Sequence, residues 1–139
     1  MNAYELAARA ADVIEARGHI RKWYVGGSRG VCLRGAMNVV TTGDPETHPS
    51  GSLENIYKEL DDLVGARVGY ATLPSWVRQT EGITNTEWNA VLWNDYLVRD
   101  GAEVIATLRA VAASDPDRAQ EQMALLEPIE EEVRELVPA

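Results

Sequence analysis

Phenylalanine is absent, cysteine occurs once, and no apolar run in these 139 residues is longer than a few positions. The lone Cys32 excludes an intrachain disulfide and points to a reducing, cytoplasmic setting. A membrane-spanning helix needs about 20 consecutive apolar residues, so the run length excludes one. The opening residues Met1-Asn2-Ala3-Tyr4-Glu5 also lack the basic-then-apolar order of a signal peptide. Basic residues are scarce as well: 13 Lys and Arg stand against 22 Asp and Glu, a net charge of −9. Such a charge repels phosphate backbones and anionic lipid, which disfavours nucleic acid and membrane as partners. No Gly/Ser-rich or Pro-rich linker divides the chain, and apolar residues make up 45% of it. That is enough for one core over residues 1–139 without help from a metal or disulfide.

What is present is helical periodicity with clear punctuation. Asn2 to Glu5, Thr84 to Glu87 and Asp100 to Glu103 each have the form of a capping box before an apolar stripe. The first leads through Leu6, Ala10, Val13 and Ile14 to a stop at Gly18. The second, with Ile83 and Trp88 placed as a staple, predicts a helix through Trp93. The third leads through Val104, Ile105, Leu108 and Val111. Leu33, Ala36, Met37 and Val40 predict a short helix starting at or just after Cys32. Leu53 to Val64 keeps one apolar face, capped by Ser52 and stopped by Gly65. Glu59, Asp61 and Asp62 then fall to a solvated face of that helix. Asp115-Pro116 opens a last helix that Pro128 kinks or splits. Residues 41–51, dense in Gly and Pro, predict an exposed loop and the most mobile part of the chain. The stretch from Ala66 to Leu73 reads as an extended connection, and Pro74-Ser75 opens a turn of helix around Trp76. The expected fold is mainly α, a compact domain of about six helices, with at most a short β-hairpin near residues 19–33. Residues 115–139 form an acidic helical extension.

The ends differ in charge. Met1 to Arg34 holds six basic and three acidic residues, whereas Asp115 to Ala139 holds two basic and eight acidic. Polar-edged aromatics, four Trp and five Tyr, are the type favoured at protein interfaces. Trp23, Tyr24, Trp76 and Tyr96 lie near predicted loops or helix ends and are the candidate contact residues. Glu130, Glu131 and Glu132 form the core of an acidic patch opposite the apolar Ile129, Val133 and Leu136.

Catalytic chemistry has one starting point. A cysteine at a helix N-terminus near Arg29 and Arg34 could hold a thiolate. His48 or His19 would be its base, and Asn94 or Asp95 the orienting group. The plainer reading makes Cys32 a small buried hydrophobe beside Gly35 and Ala36. Asn94 and Asp95 then bond free backbone groups at a turn. Metal-ligand spacing is absent, and Gly26-Gly27-Ser28-Arg29-Gly30 lacks both phosphate-loop patterns, so no metal and no cofactor are expected.

Three segments carry a family resemblance: Ala10 to Gly18, Gly30-Val31-Cys32-Leu33-Arg34-Gly35-Ala36, and Trp93-Asn94-Asp95. Together they resemble a domain family of unknown function found in actinobacteria and their phages, in blocks from Leu6 to Ala113. The resemblance implies an origin and a fold, and no reaction. The expected role is a non-catalytic protein-interaction module, which in the case of a phage-encoded chain acts on a host or phage protein in the host cytoplasm. A Cys32-dependent hydrolase or transferase, and a regulatory homo-oligomer such as a homodimer, are the alternatives.

Overall fold

The computed structural model describes residues 1–27, 29–69, 89–118, 120–121 and 123–125. Trp76, the Thr84–Glu87 box, Pro128 and Glu130 to Glu132 lie outside the described residues. Six helical segments precede residue 114, and no sheet occurs among the described residues. They are α1 (Ala3–Arg17), α2 (Leu33–Thr42), α3 (Leu53–Val68), α4 (Asn89–Leu92), a π-helical turn over Trp93–Leu97, and α5 (Gly101–Ala113). Helical residues resume at 116. No helix among the described residues is long and apolar enough to cross a membrane.

The punctuation read from the sequence acts as expected at two N-termini. Asn2 Oδ1 accepts from the Glu5 N–H at 2.9 Å, and Asp100 Oδ1 accepts from the Glu103 N–H at 2.9 Å. Such caps satisfy backbone donors that have no partner inside the helix, each contributing about 1 kcal/mol. The Glu103 carboxylate reaches the N–H of Arg99 at 3.1 Å, one residue ahead of the cap.

α1 lies at the centre, packed against α5, α2 and α3. Its small residues Ala3, Ala7, Ala10 and Ala11 are all buried, so neighbouring helices approach its backbone closely. Leu6, Ile14, Leu33, Leu60, Val64, Val104 and Leu108 fill the core around them. Each contributes roughly 1.5–3 kcal/mol on burial.

Three expectations about α3 and its approach are overturned. Ser52 sits in helical backbone and makes no side-chain cap. The helix passes through Gly65, which is buried in the packing, and runs to Val68 before Gly69 ends it in the left-handed region. Asp61 is not on a solvated face. It is 3% exposed, and its Oδ1 accepts from the Ala90 N–H at 2.6 Å. Position 61 is four after Tyr57 and three before Val64, both buried, so the helix turns it inward with them.

Among the described residues of the 19–33 stretch there is no hairpin ladder. Val31 alone bridges both ends of the loop, parallel to His19 and antiparallel to Val25. Between those bridges Lys22 and Arg29 adopt positive φ (67° and 69°), conformations that turn the chain out of any extended pairing.

Candidate functional site

The π turn brings the loop, the α2 N-terminus and Asn94 together. Its defining bond runs from the Val98 N–H to the Trp93 carbonyl at 2.9 Å. Widening the helix by one residue re-aims the side chains that follow, and such turns are frequent at functional sites. Trp93 is buried in the core, and Asn94 beside it is 1% exposed. Asn94 Oδ1 accepts from the backbone N–H of Leu33 at 3.2 Å and lies 2.6 Å from His19 Nε2. The Leu33 N–H can only donate, which fixes the amide oxygen at that position and leaves His19 Nε2 as a donor to it. Asn94 Nδ2 in turn donates to Asp95 Oδ1 at 2.9 Å, and the same oxygen accepts from the Lys22 N–H at 2.8 Å. The Gly30–Ala36 and Trp93–Asp95 segments, far apart in the chain, therefore meet at one polar junction.

Glycines permit the closeness. A Cβ on Gly35 would lie 2.1 Å from the Tyr24 carbonyl oxygen, so only glycine lets the loop rest on α2. A Cβ on Gly101 would lie 2.5 Å from that of His19, which places the first turn of α5 against the imidazole.

Cys32 sits beside this junction as the N-cap of α2. Its Sγ accepts from the Gly35 N–H at 3.3 Å, and it is 4% exposed. Burial raises the thiol's pKa, and the Asp95 carboxylate adds to the rise. The Gly35 and Arg34 N–H groups and the Arg34 charge oppose it without reversing it. The expected effect of the positive surroundings is thus outweighed by desolvation. His19, Asn94 and Asp95 do gather around α2's first turn. His48 bonds elsewhere: its Nε2 lies 3.0 Å from Tyr24 Oη, with the two rings edge to face at 5.2 Å.

A second polar cluster escaped the sequence reading. The Arg34 guanidinium stacks 5.0 Å over the Tyr57 ring, and burial lowers its pKa while Asp61 opposes that fall. Tyr57 Oη donates to Asn38 Oδ1 at 2.9 Å and lies 2.8 Å from Thr41 Oγ1. Burial pushes the Tyr57 hydroxyl's pKa up. Arg34, His48, Pro49, Glu54 and Tyr57 line an open cavity of about 250 Å³. The 43–52 loop delivers His48 there; Asn38 Nδ2 of α2 ties it to the helix by donating to the Pro45 carbonyl at 2.8 Å, and Thr47 Oγ1 donates within the loop to Asp44 Oδ2 at 3.0 Å. Among the described residues no cluster of His, Cys, Asp and Glu could hold a metal ion.

The candidate contact residues stand out differently. Trp23 is 72% exposed, while the residues around it are held. Arg21 donates to the carbonyls of Val98 and Arg99, Lys22 lays its Nζ 4.6 Å over the Tyr96 ring, and Tyr24 is fixed by His48. Tyr96 is half-buried beneath Lys22. The loop is pinned on both sides of an indole that faces solvent. The type of residue 23 and its place near a turn mark it in the sequence, whereas spacing alone does not pair its loop with the anchors at 95 and 98.

Residues 2–114 match a family described as a family of unknown function (DUF6197). No curated protein and no solved structure matches the chain.

Proposed function

The chain belongs to that family of unknown function, and from its own geometry we propose that it is a non-catalytic protein-interaction module whose contact element is the Arg21–Tyr24 loop. One observation carries this reading: Trp23 is exposed on a loop whose neighbours are fixed to the π turn and to His48. A large aromatic with few rotatable bonds on an anchored backbone loses little conformational freedom on binding, and Trp is enriched among residues that dominate interfaces. Lys22 in the left-handed region adds to the argument, because a non-glycine residue there costs about 1 kcal/mol and persists only where surrounding contacts enforce it.

The partner is a protein. The resemblance to domains of actinobacteria and their phages supports a phage-encoded origin, with a host or phage protein as target in the host cytoplasm. The family match ends at residue 114, which supports reading residues 115–139 as a C-terminal acidic helical extension of the single domain. The Cys32 hydrolase reading is weaker, since a buried thiol with a raised pKa is a poor nucleophile at neutral pH.

Affinity capture from host lysate with the wild-type protein and a Trp23→Ala variant tests the proposal. A partner retained by the first and lost from the second supports it. Equal retention by both, with the variant folded, rejects the loop as the contact element.

A further inference from the structure

No Asp or Glu occurs between Glu15 and Asp44, although the chain is strongly acidic elsewhere. That span carries Arg17, Arg21, Lys22, Arg29 and Arg34. Arg34 stacks on Tyr57, and the other four belong to or flank the Trp23 loop. Their partners share one property. Arg17 Nε donates to the Arg29 carbonyl at 2.8 Å, Arg21 donates to the carbonyls of Val98 and Arg99, and Lys22 lies over the Tyr96 ring. These acceptors are neutral, so they hold the cations in place without cancelling their charge. Among the described residues no carboxylate pairs with Arg17, Arg21, Lys22 or Arg29. Arg99 and Arg109 are, by contrast, paired with Glu103 and with Asp12 and Glu15. Among the described residues, Asp95 is the one acid touching the loop, and one of its oxygens accepts from the Lys22 and Asn94 N–H groups.

From this juxtaposition we propose that the loop docks an acidic peptide segment of the partner protein. Its carboxylates would lie on Arg21, Lys22 and Arg29, and an apolar side chain on the Trp23 indole. The inference rests on Trp23 being the contact residue and adds the chemistry of what it contacts. A short acidic peptide fits better than a nucleic acid. Charges are screened beyond about 8 Å at physiological ionic strength, so a short ligand feels the local cations. A long polyanion would also run across the acidic remainder of the surface and be repelled.

The test is fluorescence anisotropy with the full-length protein and three probes: a labelled peptide of Glu-Leu-Glu repeats, its Gln-Leu-Gln counterpart, and an oligothymidine. The Glu peptide should bind at least about tenfold more tightly than the Gln peptide, and weaken about tenfold as ionic strength rises from about 0.05 to about 0.3 M. The double variant Lys22→Glu/Arg29→Glu and the Trp23→Ala variant, each shown folded by circular dichroism, should both lose that binding. Absence of Glu-peptide binding to the wild type overturns the inference, as does preferred binding of the oligothymidine. Should the lysate partner depend on Trp23 but not on salt or on the double variant, the acidic-segment inference fails and the contact loop stands. Should the Glu peptide bind the double variant normally, the inference fails as well.

Discussion

His19 Nε2 lies 2.6 Å from Asn94 Oδ1, a bond between residues 75 positions apart. The same oxygen takes the Leu33 N–H, so one buried amide joins the end of α1, the start of α2 and the π turn.

Replacing Asn94 by Ala leaves the Leu33 N–H buried without its acceptor. The expected loss is about 1–3 kcal/mol in urea unfolding, with His19→Ala costing less and the two effects coupled in a double-mutant cycle. Additive losses would show that the amide and the imidazole act independently.

Gly35→Ala would drive a Cβ against the Tyr24 carbonyl, a contact between two backbones that no rotamer relieves. We expect destabilisation of about 1–3 kcal/mol, seen as a lowered thermal midpoint. Gly27→Ala meets nothing within 4 Å and serves as the control, with a change of about 0.5 kcal/mol or less.

Cys32 should react slowly with iodoacetamide near neutral pH, at a rate that follows unfolding. Its folded pKa is raised, so the folded state holds the proton more tightly than the unfolded chain. The stability this contributes is complete below the unfolded thiol's pKa, about 8.5, and is lost as pH rises from there toward the folded value. Denaturation midpoints across the alkaline range should fall less for Cys32→Ser than for the wild type.

Asp61→Ala removes the acceptor of the buried Ala90 N–H and should cost about 1–3 kcal/mol, whereas Asp61→Asn keeps an oxygen and should cost less. Equal losses would point to the charge of Asp61 rather than its hydrogen bond as the stabilising element.

Trp23→Ala should leave the thermal midpoint nearly unchanged, within about 0.5 kcal/mol, because the indole touches solvent rather than core. A large loss of stability would mean that the side chain packs in solution.

Helix starts were legible because a cap is a local device: Asn2 and Asp100 bond donors three residues on, within the reach of a sequence motif. The apolar stripes of α1, α2 and α5 were legible for the same reason. The acidic type of Asp61 suggests a solvated face, but its spacing from Tyr57 and Val64 puts it on the inward stripe, and in the fold the spacing prevails. The polar junction was out of reach, since pairing Asn94 with His19 and Leu33 depends on how three segments pack. Cys32 was placed correctly at a helix start, but the balance between burial and positive surroundings is decided only by packing.

The π turn has a consequence for what changes the chain can accept. Helical residues succeed one another at about 100° each, so removing one residue from the turn would restore ordinary winding and rotate the segments on its two sides by about that angle relative to each other, breaking the register that sets Asn94 on Leu33 and Asp95 on Lys22. The spacing of that segment is thus constrained separately from its chemistry: deletions there should be tolerated less than many point substitutions, even where every remaining side chain is kept.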